Sequence, residues 1–380
     1  MRLFENLNID FLSKRKFFYA VSGIIISLGI VSIVIKGLDL GIDFKGGSEV
    51  VVAFDKPVAI SDVRDATDRM GLGSVELKTF GATTENILVR TELQDLDEVQ
   101  FENIKKNIES VIAQSVSDTL FSMKEKTSST VVYTFDTPEN AVLIADKLFL
   151  SGFQAGLVSK EQDNLDVIVR LGIADLIKEG LRTEFSGLKF DVIKEDKVGP
   201  KIGEELKRDA IIAIVLALVV ILVYIGFRFK FAFGLGAVLA LFHDVLITLG
   251  FVSFFNGLFP GLNLEITQSV IAAFLTLVGF SVNDTVVIFD RIRENLKVHK
   301  TMDFFSLINF SINRTLSRTI LTSGTVLIVT TVLLLLGGEV NKGFAFTFFV
   351  GIITGTYSSI YVASAFVHDW TTRSKKKIQF

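Results

Sequence analysis

The sequence predicts a polytopic α-helical membrane protein whose six spans are interrupted, between the first and the second, by a sizeable α+β region. Three observations predict it. Hydrophobic letters make up 49% of the 380 residues, with 35 Phe against 4 Pro, a balance too apolar for an ordinary soluble chain. Six stretches are long enough to cross a bilayer. The formal charge of −3 conceals a segregation: residues 37–208 hold 21 Lys+Arg against 31 Asp+Glu (−10), and the remainder 18 against 11 (+7). Such a split excludes a single globular domain, a disordered chain and a nucleic-acid binder with a basic face. The lack of Cys excludes a disulfide framework, thiol catalysis and Cys-ligated metal, and leaves the compartment open.

A spanning helix needs roughly 20 mainly apolar residues at about 1.5 Å each to cross about 30 Å of hydrocarbon. The segments that qualify are Phe17–Ile35, Ala210–Phe227, Phe231–Phe255, Ile266–Phe289, Thr319–Leu336 and Phe344–Val367. The first follows Lys14, Arg15 and Lys16, as a signal peptide would, but its run is too long and Ile35-Lys36-Gly37 offers no small-x-small cleavage site. It reads as an uncleaved anchor. Alternate short loops collect Arg2, Lys14, Arg15 and Lys16; Arg228 and Lys230; Arg291, Arg293, Lys297, Lys300, Arg314 and Arg318; and Arg373, Lys375, Lys376 and Lys377. The two opposite short loops carry only Lys342. The positive-inside rule then places both termini in the cytoplasm and residues 37–208 outside it. The expected division is a cytoplasmic N-terminus and first span (1–36), an extracytoplasmic region (37–208), a five-helix bundle (209–367) and a basic tail (368–380).

Within the extracytoplasmic region, period-2 and period-3.6 patterns give two similar halves. The first reads strand Glu49–Phe54, helix Ile60–Met70, strand Ser74–Phe80, strand Asn86–Thr91 and helix Leu96–Ala113. The second reads strand Val131–Phe135, helix Pro138–Leu150, strand Gln154–Val158, strand Leu165–Leu171, helix Ala174–Phe185 and strand Lys189–Glu195. Each approximates β-α-β-β-α-β, the ferredoxin-like split unit, with the last strand of the first half missing from the pattern. Tandem units over about 41–123 and 131–197, joined by the polar stretch Lys124–Thr130, are one reading; a single irregular α+β domain is the other. The region has no His, no Cys and no metal-ligand spacing, and its carboxylates are scattered as on a solvated surface. Binding or mechanical work fits it better than catalysis, and no cofactor or metal is expected.

Charged side chains at mid-membrane cost about 2.5 to 3.5 kcal/mol each even on insertion scales, so they mark function by default. His243-Asp244 lies near the middle of the third span, and Asn283-Asp284-Thr285 about two turns from the cytoplasmic end of the fourth. Arg318 opens the fifth, followed by the hydroxyls of Thr319, Thr322, Ser323 and Thr325. Because spans four and five are antiparallel, Asp284 and Arg318 belong to the same half of the bilayer. They form either a buried ion pair that fastens two helices, with Arg318 alternatively snorkelling to the surface, or a proton relay whose protonation changes the pairing. His243 and Asp244 either exchange protons or simply hydrogen-bond a neighbouring helix. Gly351, Gly355, Ser359 and Ala363 recur every four residues and admit close approach of another helix, from this chain or a partner.

These residues carry a resemblance. Gly41-Ile42-Asp43-Phe44-Lys45-Gly46-Gly47 after the first span, Val198-Gly199-Pro200, Phe242-His243-Asp244-Val245, the run from Phe280 to Glu294 and Ser317-Arg318-Thr319 with Leu321-Thr322-Ser323 resemble the SecF family, the smaller membrane subunits of the SecD-SecF complex of bacterial protein export. The resemblance implies a bundle similar to the RND transporter superfamily, working with SecD to use the proton-motive force in drawing preproteins through the SecYEG channel. It places Asp284 and Arg318 among the charged residues at the SecD interface implicated in proton passage. Asn283 falls where SecD-type sequences have Asp, which favours SecF. The extracytoplasmic region is longer than the family's usual single unit.

Two other classes compete. A self-assembling half-sized RND exporter needs an apolar groove in the extracytoplasmic region, and the acidic, strand-patterned sequence there advertises none. An intramembrane aspartyl protease using Asp244 and Asp284 needs Tyr-Asp and Gly-x-Gly-Asp motifs, and Phe242-His243-Asp244 and Val282-Asn283-Asp284 do not match them. A non-enzymatic, proton-coupled secretion subunit is the reading carried forward.

Overall fold

The computed structural model describes residues 8–81, 85–115, 121–127, 129–159, 163–259 and 262–374. In chain order the elements are α1 (Arg15–Lys36), α2 (Ile42–Lys45), β1 (Gly47–Phe54), α3 (Ile60–Arg69), β2 (Val75–Thr79), β3 (Asn86–Thr91), α4 (Glu98–Ser115), β4 (Phe121–Lys126), β5 (Thr130–Phe135), α5 (Pro138–Leu150), β6 (Gln154–Leu157), β7 (Asp166–Arg170), α6 (Ile173–Glu184), β8 (Phe190–Val198), α7 (Pro200–Arg228), α8 (Phe231–Phe255), α9 (Gln268–Val298), α10 (Phe304–Leu336), α11 (Gly338–Ser358) and α12 (Ala365–Ser374). They form two compact units, Met1–Phe44 with Glu205–Phe380, and Lys45–Glu204.

Six helices of the first unit have the length and apolarity of membrane spans: Leu12–Lys36, Pro200–Arg228, Phe231–Phe255, Gln268–Val298, Phe304–Leu336 and Gly338–Arg373. Five of the six expected spans fall within them, and the fourth, Ile266–Phe289, overlaps its helix but begins two residues early. The largest boundary difference is α10, which begins at Phe304 rather than near Thr319. Hydropathy misses its first turns because Asn309, Asn313, Arg314 and Arg318 interrupt the apolar run. Periodicity restores them: Leu307, Ile308, Ile312 and Leu316 are buried on one side, and the Asp303 carboxylate accepts from the Ser306 amide at 2.9 Å to cap the start. The last span is continuous through a π-helical segment at Ser359–Ser364. The basic residues Arg2, Lys375, Lys376 and Lys377 lie outside the described residues.

Burial sorts the helices. Half or more of the apolar window of α8, α9 and the α11–α12 helix is covered, against 6% for α7. The inner helices meet through small residues. A Cβ on Gly29 of α1 would lie 2.9 Å from the Cα of Gly250 in α8, one on Gly355 would lie 3.1 Å from the Ser281 Cβ in α9, and one on Gly236 would lie 3.1 Å from the Ala363 carbonyl. The small-residue ladder of the last span therefore packs against this chain's own α8 and α9.

The second unit contains two four-stranded antiparallel sheets, ordered β2-β3-β1-β8 and β4-β5-β7-β6. Their helices are not the ones that sequence proximity suggests. Ile173, Ala174, Ile177 and Leu181 of α6 enter the core of the first sheet with Val50, Val52 and Val63. Phe101, Ile104, Ile108 and Ile112 of α4 enter the core of the second with Tyr133, Ile144 and Val167. The first sheet with α3 and α6 is thus a complete β-α-β-β-α-β unit. Nested between its β3 and α6 lies a second unit of the same sheet order, permuted so that its last helix and strand, α4 and β4, come first. The tandem division is replaced by this interleaving, since an apolar stripe says that a helix is buried, not against which sheet. The expected linker Lys124–Thr130 is instead the end of β4 and the turn into β5, closed by Thr127 N–H donating to the Thr130 carbonyl at 2.9 Å. β4 escaped the period-2 reading because it is an exposed, charged edge strand.

Candidate functional site

The motif Gly41–Gly47 works first as a structural clip. Gly41 N–H donates to the Ile266 carbonyl at 2.9 Å and Ile266 N–H to the Asp39 carbonyl at 2.7 Å, which draws the chain after α1 alongside the segment preceding α9. A Cβ at Gly41 would meet Thr267 Cγ2 at 2.7 Å. The Asp43 carboxylate accepts from the Gln268 amide at 2.8 Å, at the first residue of α9, where the helix presents unpaired N–H groups and positive potential. Phe44 is buried with Val252, Leu264 and Val270. Gly46 and Gly47 have φ of 73° and 112°, a region open to glycine.

The intramembrane polar residues divide into two clusters. In the first, the buried Asp284 of α9 accepts from Ser323 Oγ of α10 at 3.1 Å, and Ser323 in turn accepts from Thr356 Oγ1 of α11 at 2.7 Å. One carboxylate therefore ties three helices. Thr285 is buried beside it and Asn283 faces outward. Arg318 is exposed and makes no salt bridge with Asp284 among the described residues, so the buried ion pair does not form. Thr322 turns its hydroxyl back to the Arg318 carbonyl at 3.0 Å, as Ser and Thr do within helices.

The second cluster is larger. Asp244 is 1% exposed; its Oδ2 accepts from Ser281 Oγ of α9 at 2.5 Å and from Ser358 Oγ of α11 at 2.8 Å, the latter hydroxyl also lying 3.1 Å from the Gly355 carbonyl. Its Oδ1 meets His243 Nδ1 at 2.9 Å, adjacent residues on one helix bonding despite diverging directions. His243 Nε2 meets Ser22 Oγ of α1 at 2.8 Å. Ser22 lies 2.9 Å from the hydroxyl of Tyr357, which donates to the Phe18 carbonyl at 2.8 Å. The imidazole and the Tyr357 ring stack with centroids 5.6 Å apart. Ser22, Ser358 and Tyr357 escaped the sequence reading because single hydroxyls in apolar helices carry no spacing signal. Ser359, which the ladder did mark, bonds within its own helix.

In the α+β unit the charges pair across strands. Glu49 is 2% exposed and accepts from Arg90 Nε at 2.9 Å and Lys194 Nζ at 2.7 Å. It is not the solvated surface group that the pattern suggested: Arg90 and Lys194 hold it in ion pairs, Arg90 also bonding Glu76 and Lys194 also bonding Asp196.

Comparison with known proteins places these features in a family. The description "Protein export membrane protein SecD/SecF, C-terminal" matches residues 178–373, and "SecD/SecF GG Motif" matches residues 31–58, which bracket the Gly41–Gly47 clip. Protein translocase subunit SecF of Rhodothermus marinus is 40% identical over 98% of this chain and 97% of its own. That of Koribacter versatilis is 35% identical over 96% and 92%. The crystal structure of SecDF from Thermus thermophilus, a translocon-associated membrane protein, superposes with a TM-score of 0.65 at 29% identity, covering 98% of this chain, which spans 40% of the SecDF chain.

Proposed function

From the premise that the chain belongs to the SecF family of protein translocase subunits, within the SecD/SecF protein-export machinery, we propose that it uses the proton-motive force, together with SecD, to promote preprotein passage through the SecYEG channel. It sits in the bacterial inner membrane with both termini cytoplasmic and residues 37–208 outside. Its role is transport rather than the catalysis of a covalent step.

The observation that carries this reading is Asp284. A carboxylate 2% exposed in a spanning helix is bonded by the Ser323 hydroxyl and has no ion-pair partner among the described residues, while Arg318 on the neighbouring span is exposed with no carboxylate in ion-pair range among them. An outward Arg and Asn283 on spanning helices are costly against lipid, and a SecD bundle bearing an acidic group satisfies them. Protonation removes the Asp284 charge and turns one oxygen from acceptor to donor. A proton on Oδ2, the oxygen that accepts from Ser323, rearranges that bond and through it the link to α11, and Arg318 biases which charge state is held. Helix movement follows proton occupancy.

Asp284→Asn keeps the shape and removes the titration. It is expected to abolish export stimulation driven by the proton gradient while the variant still co-purifies with SecD. Full complementation by the variant refutes the relay. Replacing H+ with Na+ gradients in the same assay assigns the ion, since the Asp284, Ser323 and Thr356 oxygens suit either.

A further inference from the structure

We propose that His243 and Asp244 form a second proton-holding site, separate from Asp284, whose occupancy controls the bond between the first span and the last. The argument is a count of hydrogens. From Asp244 to the Phe18 carbonyl run four successive contacts: Asp244 Oδ1 to His243 Nδ1, His243 Nε2 to Ser22 Oγ, Ser22 Oγ to Tyr357 Oη, and Tyr357 Oη to Phe18 O, at 2.9, 2.8, 2.9 and 2.8 Å. Each contact requires one hydrogen. A neutral imidazole, one serine and one tyrosine supply three. The fourth is an additional proton on the His243–Asp244 pair. With it, the donors run outward from a doubly protonated ring, Nδ1–H to Asp244 on one side and Nε2–H through Ser22 and Tyr357 to the Phe18 carbonyl on the other.

Loss of that proton leaves one contact without a hydrogen. Nε2 becomes an acceptor and takes the Ser22 hydrogen; Tyr357 keeps its bond to Phe18, and the Ser22 to Tyr357 contact becomes two facing oxygens. That contact joins α1 to α11. Asp244 remains held by Ser281 and Ser358 in both states, so the change is directed toward α1. Among the described residues no cation faces the pair: α1 contributes Ser22, α9 Ser281, and α11 Tyr357 and Ser358, while the tilted ring of Tyr361 in the π-helical segment lies 5.4 Å from that of Tyr357, centroid to centroid. Asp284 addresses Ser323 instead. A π-helical segment immediately after Ser358 is a place where a helix can change register at small cost.

The proposal rests on membrane proton coupling, and its test reads the proton directly. The full chain, 15N-labelled at His and reconstituted in phospholipid vesicles, is followed by solid-state NMR from about pH 5 to 9, the range in which imidazoles ordinarily titrate. His243→Asn identifies the His243 signals among those of His299 and His368. The expected result is an imidazolium His243 that converts to imidazole in a single step. Tyr357→Phe keeps the ring but removes the terminal donor, and is expected to move that step to lower pH by about one unit, the worth of one hydrogen bond. Ser22→Ala is expected to move it in the same direction. A His243 neutral at every pH, or a step unmoved by both variants, overturns the proposal. In the Asp284→Asn background the step is expected to persist; its disappearance shows one site instead of two. Failure of the export reading alone leaves these spectra unchanged.

Discussion

Gly47 illustrates how much one residue's conformation decides. With φ at 112° and a hypothetical Cβ 2.2 Å from the Thr91 carbonyl oxygen, it accepts no side chain without displacing the β1–β3 pairing. Gly47→Ala is expected to destabilise the protein by about 1 to 3 kcal/mol, the scale of a strained backbone position, read as a lower thermal midpoint of the purified chain. Asp43→Ala removes an acceptor from the first turn of α9 and is expected to cost about 1 kcal/mol, with Asp43→Asn closer to wild type. Two roles were legible in different degrees. Asp284 stood out because a lone carboxylate in an apolar run is conspicuous. The relation of Asp244 to Ser22 and Tyr357 was not, because 221 residues separate His243 from Ser22 and no pattern in one dimension joins them.

At the scale of elements, β4 depends on ion pairs rather than on burial. Lys124 donates to Asp166 at 2.6 Å and Lys126 to Glu102 at 2.6 Å, one clamp on β7 of the same sheet and one on α4. The bond from Lys124, helped by Thr134, holds the Asp166 carboxyl below its usual range, and bonds from Lys126 and Lys105 do the same for Glu102. A carboxyl depressed in the folded state contributes stability present above its unfolded pKa, about 4, and lost as pH falls through the lower folded value. Amide exchange of β4, corrected for intrinsic rate, is therefore expected to accelerate below about pH 4, and Asp166→Asn to bring the faster exchange to neutral pH. Among the spans, a bulkier residue at Gly29 or Gly250 meets backbone at under 3 Å. Gly250→Val is expected to cost about 1 to 3 kcal/mol, as overpacking does, seen as earlier thermal aggregation in detergent. The spans themselves were readable because bilayer thickness imposes a length that a sequence must display; the amphipathic start of α10 was hidden because its apolar stripe is explained by a core shared with distant residues such as Phe11, Leu12, Phe289 and Ile292.

Across the whole molecule, the interleaving of the two sheets makes some cuts tolerable and others not. Replacing residues 95–169 with a short Gly/Ser linker leaves β1, α3, β2, β3, α6 and β8 to complete the first sheet, whereas a break at 124–130 divides the second one. The excised chain is expected to express and melt cooperatively, and the interrupted one to be degraded; equal fates for the two would contradict the nesting. The two-layer α+β character of this unit was legible from alternating periods, but the assignment of α4 and α6 to their sheets was not, because it is fixed by packing between residues far apart in the chain, such as Ile177 of α6 with Val50 and Val52 of β1, in a sheet closed by the pairing of Gly47 with Val198. That same pair has a mechanical consequence. The chain enters the α+β unit at Gly47 and leaves it at Val198, and these residues face each other at the end of antiparallel strands. Tension drawn between α1 and α7 would load the β1–β8 ladder as a zipper pulled from its open end, parting its bonds one pair at a time instead of shearing them together. A pull on both of these ends is therefore the load that the unit resists least.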